Sequence, residues 1–252
     1  MSIAKLNDLI DNEKFTHQFQ ALFDLQTLST IGYEAFITSD LFKNTEILFE
    51  KASNSSRFFE LEMRSIKKAI QSYDRLSTEK KLFVNIYPIN LMHSSMLQYL
   101  EHFRKKTRVA PDQIVLEVKE ADITKYSPSF VDSLRSIQHA GYLIGFDDVG
   151  KQASSLHAIV ELKPDFIKMN RFFAKNLAQS SQKQEMVRSI VTYCFHTNTK
   201  LVLKGIEVPE DLEMAKSIGI SIVQGYLLAR PEPLSVIQQY ETKQADDMAS
   251  NE

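Results

Sequence analysis

Apolar and polar positions along the chain follow two rhythms, and their order predicts the elements. Residues 1–15 place Ile3, Leu6, Leu9 and Ile10 on one side of a short leading helix. Phe19–Asp24 and Ile31–Thr38 are extended runs rich in aromatic and β-branched residues. The short Gln26–Thr30 connection between them suits an antiparallel hairpin rather than a crossover. After a polar, weakly patterned stretch, Phe58–Leu76 carries Phe58, Leu61, Ile66, Ala69, Ile70 and Tyr73 at helical spacing, and Leu82–Ile86 follows as a strand. From there helix and strand alternate: Leu91–Lys106 then Ile114–Val118, Ser129–Ala140 then Tyr142–Phe146, and Ser155–Glu161 then Phe166–Met169. Gln184–His196 leads to Lys200–Leu203, and Pro209–Ile218, with Pro at its first turn and Gly219 as its stop, leads to Ile220–Val223.

Eight such strands with intervening helices predict an α/β fold, a closed (β/α)₈ TIM-like barrel whose first strand is antiparallel to its neighbour. A doubly wound open sheet is the alternative, but no glycine-rich phosphate turn follows any strand. The expected organisation is a leading helix over 1–16, one barrel domain over 17–239 and a flexible polar tail over 240–252.

Composition narrows the partners. Thirty basic against 32 acidic residues give no polycationic face, so bulk-charge binding to nucleic acid or membrane has no support. The first twenty residues mix charges with apolar positions, unlike a signal peptide or a membrane span, and the expected location is cytoplasmic. The single Cys194 excludes a disulfide framework and falls on an apolar helix face with Val187, Ile190 and Val191. The six histidines show no paired ligand spacing and read as surface or cap residues, and Arg104-Lys105-Lys106 sits where a helix C-terminus favours cations.

The candidate chemistry lies at the strand ends. Leu143-Ile144-Gly145-Phe146 runs into Asp147-Asp148-Val149-Gly150, an apolar strand delivering two adjacent carboxylates to its C-terminal edge. Two neighbouring carboxylates call for a metal ion or a lysine beside them, the alternative being a solvated turn. The other strand ends carry Glu34, Asn85, Glu117, Lys168, Lys204 and Gln224. Such groups buried separately would each cost several kcal/mol, so they must converge on one another, on water or on a ligand. Oxygen donors without His or Cys indicate a hard cation, and two such ions sharing Asp147 would serve in-line attack on a phosphodiester.

The segments Gly32-Tyr33-Glu34-Ala35-Phe36, Val84-Asn85-Ile86-Tyr87-Pro88, Leu116-Glu117-Val118-Lys119-Glu120 and Asp147-Asp148-Val149-Gly150 open a series of seven. Pro164–Asn170, Lys204-Gly205-Ile206-Glu207 and Gln224-Gly225-Tyr226 complete it, and the order and spacing resemble EAL-domain proteins, bacterial barrels similar to cyclic di-GMP phosphodiesterases. The resemblance covers roughly residues 17–235. It implies metal ligation by Glu34, Asn85, Glu117, Asp147 and Asp148, and Lys168 as the lysine that orients or activates the attacking water. It further implies substrate binding by Gln20, Glu34, Thr38 and Gln224, and a loop after the fifth strand held by Glu120 and Glu207. Mg²⁺ or Mn²⁺ would be the cofactor, with Ca²⁺ inhibitory, cyclic di-GMP the ligand, and a homodimer the expected assembly.

The sequence also departs from that pattern. Lys204 stands at the family's glutamate, thought to act as catalytic base or to hold the metal-bound water. A cation ~4 Å from a dication meets ~8 kcal/mol of repulsion at an effective dielectric of ~20, a ceiling because the lysine stem can swing away. Val149–Ala153 lacks an aromatic and one glycine of the family's loop, Thr38 stands for a phosphate-clamping arginine, Lys119 for a threonine and Asn170 for an aspartate. These departures imply a degenerate EAL domain, catalytically inactive, that binds the dinucleotide or a protein partner, with Lys204 satisfying Asp147 and Asp148 in place of a second metal. An active phosphodiesterase yielding linear pGpG and an interaction module without nucleotide are the rivals.

Overall fold

Among the described residues nine strands form one sheet that closes on itself through pairing of its first two strands in chain order. The structure, a computed structural model, describes residues 3–42, 45–119, 123, 127–151 and 155–249. In chain order the elements are α1 (Ile3–Asp11), β1 (Thr16–Asp24), β2 (Thr30–Thr38), α2 (Thr45–Ala52), α3 (Phe58–Tyr73), β3 (Lys81–Asn85), α4 (Pro88–Leu91) and α5 (Met96–Arg104). They continue with β4 (Ile114–Lys119), α6 (Pro128–His139), β5 (Leu143–Val149), α7 (Ser155–Leu162), β6 (Phe166–Met169) and α8 (Arg171–Ala174). The last are α9 (Ser181–Thr197), β7 (Lys200–Lys204), α10 (Pro209–Ile218), β8 (Ile222–Gln224), β9 (Glu232–Pro233) and α11 (Leu234–Ala249).

Strands β2 to β8 run parallel to one another, and β1 lies antiparallel between β8 and β2, as its short connection requires. That connection is tied by Asp24, whose Oδ1 accepts from the amides of Gln26 and Thr27 at 2.9 Å each. Two-residue periodicity then stacks the barrel interior in layers. Leu22, Phe83, Val115, Phe166, Val202 and Ile222 fill an apolar layer. The next inward position on the same strands carries Gln20, Asn85, Glu117, Lys168, Lys204 and Gln224. On β2 and β5 the lower position is Gly32 or Gly145 and the upper one Glu34 or Asp147. Outside the barrel, α3 packs Ile66, Ala69, Ile70 and Tyr73 into the main core. Cys194 is buried, and burial pushes its thiol up to about 11.

Four stretches differ from expectation. The single helix over Leu91–Lys106 is instead α4 and α5, parted at His93–Ser95, where the Ser95 amide donates to His93 Nδ1 at 3.2 Å. The polar stretch before α3 contains α2, whose Leu48 and Ala52 join Leu6, Leu9, Ile10, Phe58 and Leu61 in a separate small core. Strand β8 starts two residues later than expected, because Ser221 turns its carbonyl to the Leu25 amide. The segment from Tyr240, expected to fray, continues α11, and Glu241 binds Lys80 Nζ at 2.6 Å and the Tyr33 hydroxyl. No helix among the described residues is long and apolar enough to cross a membrane.

Candidate functional site

The polar layer opens into a cavity of about 730 Å³ at the C-terminal mouth of the barrel, a volume in the range of small-molecule sites. Its floor is an ion-paired cluster. Lys168, wholly buried, donates from Nζ to Glu34 Oε2 at 2.5 Å and to Glu117 Oε2 at 3.1 Å. Gln224 Nε2 donates to Glu34 Oε2 (2.9 Å) and to Gln20 Oε1 (3.2 Å), and Asn85 Nδ2 to Glu34 Oε1 (3.2 Å). Six of the eight upper-layer residues thus bind one another directly, as the cost of isolated buried charge demands.

Burial works against the charge of Lys168, but Glu117, Glu34 and Asp147 outweigh it and hold its ammonium above the ordinary lysine range. The carboxyl of Glu117 is pushed well up, first by burial and then by Glu34 and Asp147, against the pull of Lys168. Glu34 goes the other way: burial raises it, but Lys168 and Lys204 prevail and keep it low. Glu117 Oε1 lies 2.9 Å from the Lys168 ammonium yet accepts no hydrogen bond.

Two adjacent residues of a regular strand point to opposite faces, so Asp147 and Asp148 should not share a partner. They do share one, because β5 is irregular against β6 between Phe146 and Val149 and Asp148 adopts a left-handed φ of 59°. Both carboxylates therefore turn to Lys204, whose Nζ lies 2.6 Å from Asp147 Oδ1 and 2.6 Å from Asp148 Oδ1. Asn170 Nδ2 adds a donor to Asp148 at 2.9 Å, while its Oδ1 accepts from the Phe172 amide and caps α8. Burial raises Asp148, but the Lys204 charge dominates and its carboxyl is held below the usual range. The ammonium of Lys204 is raised in turn, Asp147 prevailing over burial.

A two-cation site does not fit this arrangement. The bridging position between the aspartates is filled by an ammonium, and the expected ligands Glu34 and Glu117 close on Lys168. No group of three His, Cys, Asp or Glu side chains among the described residues is spaced to hold a metal ion. A lysine, one of the two counter-charges expected beside the aspartate pair, lies there.

Other expectations fare unevenly. Gln20 and Gln224 belong to the cluster. Thr38 does not reach the cavity; it stands at the end of β2, where its hydroxyl lies 3.0 Å from that of Thr16. Glu207 is exposed on the cavity rim. Glu120, with Gln152, Ala153 and Ser154 of the loop after β5, lies outside the described residues.

His17, expected at the surface, is buried: β1 turns it outward from the barrel onto α3, where Nε2 lies 3.0 Å from Ser65 Oγ and Nδ1 has no partner. It lines an outer lobe of the cavity with Ser65 and Glu62, the latter accepting from the Tyr87 amide and Asn90 Nδ2. Burial first, then the nearby Lys68 ammonium, depress its pKa to about 3. His17 is neutral when folded but takes up a proton below about 6.5 when unfolded, so the folded state loses stability as pH falls. Between pH 7 and pH 5 this costs about 2 kcal/mol, and His17→Gln should remove that part of the slope. Urea denaturation at both pH values checks it; equal slopes for the two proteins would refute the assignment. Sequence gave no sign of the contact, since Ser65 is 48 residues away.

The sequence profile of the EAL domain family matches residues 3–231. The probable cyclic di-GMP phosphodiesterase PdeA of Escherichia coli K12 is 23% identical over 183 residues, covering 72% of this chain and 25% of that protein. The blue light- and temperature-regulated antirepressor BluF of the same organism is 24% identical over 153 residues, 60% of this chain and 38% of that protein. The chain thus spans well under half the length of either relative. Among solved structures, the manganese/cyclic di-GMP complex of BlrP1 from Klebsiella pneumoniae superposes with a TM-score of 0.82 at 25% identity, covering 87% of this chain and 56% of that one.

Proposed function

The chain belongs to the EAL domain family, and from that premise we propose that it acts in cyclic di-GMP signalling by binding the dinucleotide, or a protein partner, without hydrolysing it. The observation that carries this reading is the Lys204 ammonium bridging Asp147 and Asp148 at 2.6 Å each. A proton acceptor at that position would serve as general base, and its loss costs about 10²- to 10⁴-fold in rate. An ammonium there also opposes a dication shared by the two aspartates. Asn170 agrees with Lys204: an amide donates to Asp148 where the family's carboxylate would repel it. Glutamate to lysine adds two positive charges and aspartate to asparagine one, so each of the four acids is ion-paired to one of two internal lysines and much of the negative charge a cation would meet is offset. Mg²⁺ or Mn²⁺ must displace Lys204 to reach the aspartate pair, and weak metal affinity follows.

The reading is tested with purified protein, cyclic di-GMP and Mg²⁺ or Mn²⁺, following linear product by chromatography and binding by calorimetry. Binding without turnover is the expected result. Turnover near that of active relatives would instead make the chain a working phosphodiesterase. A second reading, a protein-interaction module independent of nucleotide, draws on the position of Thr38 outside the cavity and on the similarity to a protein named as an antirepressor. Absence of any cyclic di-GMP binding would favour it.

A further inference from the structure

With each acid of the floor already ion-paired to Lys168 or Lys204, the rim of the cavity is where an anionic ligand would meet unspent positive charge. Arg171 is the first residue of α8, exposed on the rim, and its guanidinium has neither a hydrogen bond nor an ion pair among the described residues. Tyr226 lines the same cavity at 51% exposure, with the Arg230 guanidinium 4.6 Å from its ring centroid. An aromatic ring with a cation over one face and an open cavity before it is a stacking plate.

The turn after β7 positions both residues along with Lys204. Gly205 has φ +86°, and a Cβ on it would lie 2.4 Å from Arg171 Cβ, so only glycine lets Arg171 pack there. Gly225 is pressed against the next residue of the turn, where a Cβ would lie 2.0 Å from the Ile206 carbonyl oxygen. The Gly205 and Ile206 amides both donate to the Gln224 carbonyl (2.7 and 3.2 Å), and the Leu227 amide to the Ile206 carbonyl (3.1 Å). Residues 204–206 thus hold an ammonium at the aspartates, pack against the base of the Arg171 side chain and bind the backbone on either side of an aromatic ring.

We propose that Arg171 and Tyr226 form the recognition pair of this mouth: Arg171 binds a phosphodiester oxygen, taking over the contact that Thr38 cannot make, and Tyr226 stacks on a nucleobase. The pair rests on the nucleotide-binding reading above and names the residues that perform it. Lys119 and Lys151 line the cavity as well and add positive potential for a phosphodiester.

Calorimetric titrations of the full chain in EDTA with cyclic di-GMP, GMP and inorganic phosphate test the pair. Arg171→Gln should weaken cyclic di-GMP about 10- to 100-fold, with Arg171→Lys falling between, since a point charge lacks the guanidinium fork. Tyr226→Ala should weaken cyclic di-GMP and GMP about tenfold but leave phosphate untouched, and Tyr226→Phe should bind as the unaltered chain does. A merely structural role would not separate phosphate from base in this way. If the unaltered chain binds cyclic di-GMP and both Arg171→Gln and Tyr226→Ala stay within twofold of it, the pair is wrong while the binding reading stands. If it binds none of the three probes, with or without Mn²⁺, the reading fails and the pair with it.

Discussion

Glutamate in place of Lys204 is expected to turn a mouth whose acids are paired to lysines into a metal-dependent one, and the change should be visible in stability before it is visible in turnover. Without metal the substitution exchanges two contacts of 2.6 Å for a third carboxylate facing Asp147 and Asp148. Breaking a largely buried ion pair leaves charge uncompensated, at a cost on the order of 3 kcal/mol. The Asn170 amide can relieve only Asp148, to which it is bound. In EDTA the variant should therefore melt several degrees below the unaltered chain.

Adding Mn²⁺ should reverse the order. A cation at a hundred times its dissociation constant stabilises by about 2.7 kcal/mol, close to what the substitution removes. The unaltered chain should respond little, because its own ammonium competes for the same oxygens. Linear product from cyclic di-GMP should rise by about 10²- to 10⁴-fold over the unaltered chain as a proton acceptor returns. Thermal melts in EDTA and in Mn²⁺, with a parallel chromatographic assay, decide the matter. A variant as stable in EDTA as the parent, or an identical Mn²⁺ response in both proteins, would mean that the ammonium is not what satisfies the aspartates.

Much of this site could be read before its geometry was known, and the reason is the period of two. Once Phe83, Val115, Phe166, Val202 and Ile222 are placed inside a barrel, Asn85, Glu117, Lys168, Lys204 and Gln224 must also point inward, one layer higher. Seven strands, β2 to β8, carry in that layer a polar or charged group that cannot be buried alone, so their convergence followed from energetics. The reversed first strand followed from a connection too short for a crossover. What escaped was whatever breaks the period or depends on distant chain. Strict alternation would send Asp148 away from Asp147; the left-handed φ that brings it back leaves no mark in composition. Helix α2 lacks a long apolar stripe and is held by packing on α1 and α3. The contact of Glu241 with Lys80 spans 161 residues, so the helix it belongs to looked like a polar tail. Arg171 sits one residue beyond the Pro164–Asn170 segment, and Tyr226 closes the Gln224-Gly225-Tyr226 segment without having been given a role, both on turns whose shape depends on Gly205 and Gly225.

Removal of the other internal cation should have the largest effect on folding. Lys168→Met preserves the length and much of the volume of the side chain but strips Glu34 and Glu117 of their shared partner. Both carboxylates are buried, at 4% and 0% exposure, so water cannot take the place of the ammonium. Removing one member of such a group typically costs 3–5 kcal/mol, a large part of the 5–15 kcal/mol that keeps a domain folded. For a chain of this size the melting point should fall by roughly 6–20 °C. Gln224 and Asn85 still donate to Glu34, but neutral donors do not balance its charge. The loss should therefore be partly cured by removing the charge itself: Lys168→Met with Glu34→Gln should recover half or more of the deficit in urea denaturation. A single variant that loses less than about 1 kcal/mol, or a double variant worse than the single, would show that the lysine is not the counter-ion on which the interior of this barrel depends.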